Sequence, residues 1–557
     1  MSAPLLRRVL ARAGAWGPAR SLAARRAPVF RQLMSKSGKA GSPQKEAADS
    51  AAAAVLCAAV AVPAALLLAF GVSPLLGLLA GAPALALAWP ELRLRDAAAR
   101  RREDVERELP FFSVLAAVLG EAGMPLYDVF EGLARGEIFA AMKREAMLVR
   151  RDVAVFGMSP IEAFERLAAD HPSRRFAELL DGYTSKVRSG GDLPTYLSGE
   201  SASQLRELEE AWGRYAGRVG LVGSMMVTVF GVLPLLLMVV GFFSPGFSVL
   251  GLALFTGAGV PLFTVVLVRL VGGMQPVAEE PPEGRAALSL LACLPGLAAG
   301  LVLGQAWVGA ALGLSLFFTA YGLSVRAQIR ESREVEAGLT RFTKDLLELK
   351  RQEYDLARGV AALAASNRYN PSFDRLLGKV AAGVRAGVPL DEAEVPTRSR
   401  LARVAFFIVG QMSRSGGGTV DTVFQLSSYC TKIVETKRSA RAEMKPYLAL
   451  SYASPLLLAF GVTFVKGVLE TFSRAVQPSF GALSISVFHI GSVPPALMQV
   501  SDLLIVVSAA ALGLVGAKIN DFTVRNTLPS SLNVAIAVGA MAAMAALGSG
   551  ALPHLPL

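Results

Sequence analysis

The sequence predicts an all-α polytopic membrane protein with about nine transmembrane helices and two repeated cytoplasmic helical-bundle domains. Three observations carry this reading. Mean hydropathy is +0.47, with 53% hydrophobic and only 18% charged residues, too apolar for an ordinary soluble chain. The charges are gathered into blocks between charge-poor apolar runs. The second block also echoes the first: Tyr127-Asp128 and Gly132 recur as Tyr354-Asp355 and Gly359, an offset of 227. Arg188-Ser189-Gly190-Gly191 recurs as Arg414-Ser415-Gly416-Gly417, an offset of 226. The apolar runs that close the blocks begin near Val219 and Pro446, again 227 apart. The agreement of spacing carries the inference of a duplicated unit, since a short identity alone arises by chance.

A spanning helix needs about 20 apolar residues, because roughly 30 Å of hydrocarbon is crossed at about 1.5 Å per residue. Nine windows meet or approach this: 51–70, 73–90, 219–243, 247–271, 286–304, 305–325, 446–466, 501–517 and 531–548. Gly71-Val72-Ser73-Pro74 and Ser244-Pro245-Gly246 read as tight hairpin turns between neighbouring spans. Residues 286–325, broken only at Gly304-Gln305, admit two full spans or a re-entrant hairpin, with two spans favoured. The resulting domains are a basic N-terminal arm (1–50), a transmembrane hairpin (51–90) and a first helical domain (91–218). Four spans (219–325), a second helical domain (326–445) and three spans with an outer loop (446–557) complete the order.

Segments 1–50, 91–218 and 326–445 hold 50 of the 56 Lys and Arg residues, whereas 467–500 holds Arg474 alone. Positive-inside bias therefore predicts a plasma-membrane protein with all three charged segments and the N-terminus in the cytoplasm, and the C-terminus outside. The first 35 residues carry seven arginines and no acid. That composition fits an organelle transit peptide or a membrane-surface arm on anionic lipid, and the prokaryotic character of the rest favours the arm. Cys57, Cys293 and Cys430 form no disulfide framework and read as small apolar packing residues.

Both blocks read as helices. Leu109-Pro110 opens one, and Pro125 a second whose apolar face is Leu126, Val129, Phe130 and Leu133. Ser159-Pro160-Ile161-Glu162 is a capping box that starts a third, with Ile161, Phe164 and Leu167 on its apolar face. A fourth runs from about Ser173 to Arg188 and stops at Gly190-Gly191. A Glu-rich helix from about Ser201 then leads into the span. In the second block Gly387 to Glu392 stands where Gly157 to Glu162 stood. The Arg-Ser-Gly-Gly element is a helix cap with an Arg complementing the dipole. The same turn also displays an Arg at a fixed corner, which makes it a candidate partner-binding element.

Enzymatic signatures are missing from the sequence. Neither a phosphate loop, an H-E-x-x-H pair nor a G-x-S-x-G elbow occurs. His171, His489 and His554 are far apart, so no metal or cofactor is expected. Acidic residues within spans are nearly absent, and Asp502 lies at a span end where it can reach the interface. The net charge of +12 is attributed to topology and lipid attraction, so no nucleic-acid partner is expected.

Repeated helical domains, each followed by spans in a 2-2-2-3 order and punctuated by glycine-rich turns, resemble the type II secretion system F family. The chain is most similar to the archaeal members that form the platform of the archaellum and of archaeal type IV pili, and to Tad-type platform proteins. The likeness covers essentially 51–548 and rests on architecture. The Glu394-Val395-Pro396-Thr397-Arg398 stretch and the long N-terminal arm depart from it. The resemblance implies no enzymatic activity of its own. It implies a hexameric secretion-type ATPase and pilin or archaellin subunits as partners, with a homodimer compatible with a symmetric motor. A transporter or channel between the repeats is the competing class, and a pair of large soluble domains argues against it. Within the more basic second block, Arg398, Arg400, Arg403 and Arg414 are the candidate docking residues. Arg188, Gly190, Gly191, Gly416 and Gly417 form the candidate corners.

Overall fold

The computed structural model describes residues 17–38, 41–71, 82–136, 138–243, 248–276, 281–416, 418–476 and 495–548. The described residues are helical throughout, with no strand. Both hairpin turns, 72–74 and 244–246, lie outside them, as do Gly417, most of the outer loop and the C-terminal tail. The chain divides into two compact units, Met1–Leu205 and Arg206–Leu557.

The first unit begins with α1 (Gly17–Ser37), α2 (Pro43–Gly71) and α3 (Ala82–Glu121). Phe30 and Met34 of α1 are buried with Ala47 and Leu94, and Ala23, Ala27 and Leu33 pack beside them. The apolar side of this segment of the arm is thus taken up by the protein's own helices. Arg26 completes the seam, pairing with Glu91 and donating to the Leu87 carbonyl at 2.7 Å. In α3, Pro110 does not open a helix: it sits inside a continuous 40-residue one. A mid-helix proline costs about 3 kcal/mol. Here residues 111–119 are buried on every side, and that burial outweighs the cost.

Four shorter helices follow: α4 (Leu126–Arg135), α5 (Ala140–Ala154), α6 (Pro160–Asp170) and α7 (Arg174–Ser189). The Ser159–Glu162 capping box forms with both reciprocal hydrogen bonds. Edge-to-face rings join the helices: Phe112 to Phe130 at 5.5 Å, Phe130 to Phe164 at 5.0 Å and Phe164 to Tyr183 at 6.0 Å. Next comes α8 (Leu193–Val227), which starts eight residues before the expected Ser201 because Pro194 occupies its first turn, where proline is tolerated.

In the second unit, a π-helical turn (Thr228–Val232) leads into α9 (Leu233–Phe243). Then come α10 (Ser248–Leu254), a second π turn (Phe255–Gly259), α11 (Val260–Met274), α12 (Ala286–Leu303) and α13 (Ala306–Arg351). The second block continues with α14 (Leu356–Ser366), α15 (Pro371–Arg385) and α16 (Arg400–Arg414). The long α17 (Val420–Val476), α18 (Pro495–Asp521) and α19 (Leu528–Gly548) close the fold.

Seven helices among the described residues are long and apolar enough to span a membrane, making this a helical polytopic membrane protein. Windows 51–70 and 73–90 fall on α2, on undescribed residues and on the start of α3. α18 is the central span: Leu504, Ile505, Val506, Ala509, Leu512 and Val515 are fully buried among α13, α17 and α19. Leu301 and Val302, by contrast, are 84% and 86% exposed, as lipid-facing positions are.

Residues 286–325 form two antiparallel helices, each long and apolar enough to span a membrane. Gly304 reverses the chain at φ 66°, and two small-residue stripes face each other. A Cβ on Gly296 would lie 2.3 Å from the Gly313 nitrogen, and one on Gly300 would lie 2.3 Å from the Gly309 Cα. Only glycine permits this backbone approach, the usual basis of tight packing in lipid. Gly300→Leu is therefore expected to part the hairpin, costing about 1–3 kcal/mol or more. Cysteine pairs across α12 and α13 that crosslink in the parent should fail in the variant; unchanged crosslinking would contradict this packing.

Candidate partner-binding site

The two blocks share an internal design that locates the candidate residues. In each, a serine caps the helix carrying the Arg-Ser-Gly element and donates to a glutamate on the preceding long helix. Ser173 caps α7 and donates to Glu106 at 3.0 Å. Ser399 caps α16 and reaches Glu336 at 3.4 Å. The arginine at the far end of each helix then pairs with an acid 22 or 23 residues upstream. Arg188 meets Glu165 at 2.8 Å, and Arg414 meets Glu392 at 2.5 Å and Asp391 at 3.1 Å. Sequence reading identified the arginines but missed the Glu106–Ser173 and Glu336–Ser399 links, because the flanking residues are not identical.

This geometry also corrects the register of the repeat. Leu126, Val129, Phe130 and Leu133 are the buried face of α4, and Leu356, Gly359, Val360 and Leu363 that of α14, an offset of 230. Tyr127 and Asp128 lie inside the first turn of α4, whereas Tyr354 precedes α14 and Asp355 is its N-cap. Their matching spacing at 227 is coincidental. Gly157 and Gly387, both left-handed, keep the offset of 230. From there the first block uses 16 residues to reach Ser173 and the second only 12 to reach Ser399. A link that short cannot hold the 11-residue α6 with its connections, so Gly387 to Glu392 is turn and loop, not a second capped helix. The loop packs on Gly410, where a Cβ would come within 2.4 Å of the Asp391 nitrogen.

The first corner is a closed helix cap. Gly190 is left-handed at φ 67°, its N–H donates to Val187 and the Gly191 N–H to Lys186, satisfying the last carbonyls. The second corner has Ser415 in its place, with Gly416 at φ 105°. The four basic candidates do not form one cluster. Arg398, Arg400 and Arg403 lie at the start of α16 and Arg414 at its end, about 21 Å away at about 1.5 Å per residue. Arg398 binds the linker before α12, donating to the Pro281 carbonyl at 3.2 Å beside Glu283. Arg400 and Arg403 are half-buried and engaged within the fold. Only Arg414 is exposed.

A second arrangement lies where α8 and α17, the long helices that continue from blocks into spans, meet the short α18–α19 turn. Phe522 in that turn adopts φ 59°, a left-handed conformation disfavoured for a bulky side chain. Its ring lies 5.0 Å from Trp212 and 6.0 Å from Tyr215 on α8, and the Arg441 guanidinium of α17 sits 5.1 Å over it. Both long helices thus bear on one strained residue of the membrane bundle. Nothing in the sequence pattern marks Phe522.

Asp502 pairs with Lys466 of α17, both largely buried, and Lys466 donates further to the Met498 carbonyl at 3.2 Å. No group of three or more potential metal ligands occurs among the described residues.

Comparison with known proteins bears on residues 111–241, from α3 to α9. They match the family described as type II secretion system (T2SS), protein F. An uncharacterized protein of Methanocaldococcus jannaschii is 22% identical over 425 residues, 66% of this chain and 69% of that protein. No solved structure matches the chain significantly. The likeness to the type II secretion system F family thus lies in residues 111–241, where a helical block runs into a span.

Proposed function

We propose that this protein is the inner-membrane platform for assembly of a type IV pilus-like or archaellum filament, coupling a cytoplasmic secretion ATPase to insertion of pilin or archaellin subunits. The F-domain match over 111–241 is the observation that carries the reading. The internal design supports it: two blocks of like construction each continue as an unbroken helix toward the spans, and those helices bear on Phe522. A helix that runs from a docking domain into the bilayer transmits displacement as a rigid lever, which a hinge loop would not. In this reading the N-terminus and both blocks face the cytoplasm and the C-terminus lies outside.

Docking is assigned to the second block at Arg398, Arg400 and Arg403, with Arg414 and the Arg188 corner at helix ends. Such partly exposed pairs contribute only about 0.2–1 kcal/mol each, so single Ala variants should bind nearly normally. Reversing Arg398, Arg400 and Arg403 to Glu together should abolish binding by opposing like charges. The test is copurification of the hexameric ATPase with the full chain from detergent. Retention by the triple variant, with its thermal midpoint unchanged, would place docking elsewhere.

A further inference from the structure

A cleft of about 700 Å³ opens between α13, α17, α18 and α19, at the end of the spans nearer the second charged block. Its wall changes character along its length. Leu448, Leu532 and Ala535 line one part, while Arg326, Arg330 and Arg333 line another. Thr319, also in the lining, sits seven residues before Arg326 on α13, so about 10 Å separates the polar interior from the first guanidinium.

The three arginines are not equivalent. Arg333 pairs with Asp521, whose carboxylate also accepts from the Asn520 and Asn526 amides. Arg330 is 79% exposed and, among the described residues, pairs with Glu334 one turn along its own helix, a pair that water already weakens. Arg326 is exposed and makes no ion pair among the described residues. Two guanidinium groups therefore remain for an incoming anion, and their planar forks suit phosphate oxygens. A free small anion would use the arginines and leave the apolar wall idle. An amphiphile with a phosphate head and hydrocarbon tail uses both, and at this depth the bilayer supplies it at high local concentration.

We propose that this cleft is a binding site for a membrane phospholipid with an anionic headgroup, its phosphate held by Arg326 and Arg330 and its chain lying along Leu448, Leu532 and Ala535. The assignment does not depend on the filament role. The bound lipid lies across the seam where α13 and α19 already meet through Thr319 and Ser531 at 2.6 Å.

Native mass spectrometry of the full chain, released from nanodiscs of mixed phosphatidylglycerol and phosphatidylcholine, tests it. The parent should retain phosphatidylglycerol selectively, and Arg326→Gln/Arg330→Gln should retain about tenfold less. Ala535→Trp, which fills the apolar wall and leaves the charges, should lose the lipid as well. Millimolar inorganic phosphate should not displace it. Equal retention by the arginine variant, whose altered side chains are exposed and leave the core intact, would overturn the site. Displacement by inorganic phosphate alone would overturn the lipid assignment and make the cleft a free-anion site.

Discussion

Replacing Arg101 with Met is expected to destabilise the first block by about 3–5 kcal/mol, the usual result of leaving one member of a buried ion pair alone. Arg101 bonds the Glu145 carboxylate through two nitrogens, at 2.9 and 2.5 Å, with both side chains buried. Its remaining nitrogen donates to the Ser35 and Lys36 carbonyls at 3.0 and 3.1 Å, closing the C-terminal end of α1 onto α3. Burial by itself raises the Glu145 pKa, but the hydrogen bonds and charges of Arg101 and His171 outweigh it and hold the group at about 2. A carboxyl whose folded pKa is depressed stabilises above its unfolded pKa and loses that contribution as pH falls. The block should therefore weaken between roughly pH 5 and pH 2, by about 3 kcal/mol in all.

Hydrogen exchange along α5 in the full chain reads both effects. A second variant separates the pair from the α1 contact. Leu376 is buried as the sixth residue of α15, as Glu145 is of α5, so the second block solves the same site with an apolar residue. Arg101→Met/Glu145→Leu should recover most of the stability while trypsin still cuts faster in α1 than in the parent. A double variant as unstable as the single one would show that the ion pair is not what Arg101 supplies.

The second large effect is expected at Lys466 and Asp502. Asp502 lies 19 residues before Asp521 on α18, about 28 Å along the axis, close to the thickness of the hydrocarbon layer. The pair thus sits at the boundary of the spans away from the charged blocks, largely shielded from water. Either Lys466→Met or Asp502→Leu alone should cost about 3 kcal/mol by stranding a charge. The double replacement should return close to the parent, since two apolar residues suit that position. Thermal unfolding in detergent measures it, and additive losses in the double variant would contradict the pairing.

Much of this organisation was legible in the sequence because it rests on local rules. Apolar runs marked the spans, Ser159 and Glu162 marked a helix start, and Gly190 marked a helix end. Features set by tertiary packing were not legible. Pro110 and Pro446 signal breaks, yet both lie inside long helices, and around Pro110 the buried surroundings outweigh the lost bond. The repeat was legible as an order of elements but not in register, since four deleted residues shift the offset from 230 to 226 within the block. The arginines of the candidate docking surface were legible as charges. Their intramolecular partners, from Glu165 to Pro281, were not, because those contacts bridge segments up to 117 residues apart.

The central claim is that this protein transmits the work of an ATPase that it does not itself replace. The most direct measurement is the nucleotide turnover of the hexameric secretion ATPase from the same cell, with and without the full chain in nanodiscs. The platform reading predicts no hydrolysis by the chain alone and an altered ATPase rate on mixing, with the change lost in the Arg398, Arg400 and Arg403 reversal. Hydrolysis that persists through purification of the chain to homogeneity, or an ATPase rate unmoved by saturating parent protein, would contradict it.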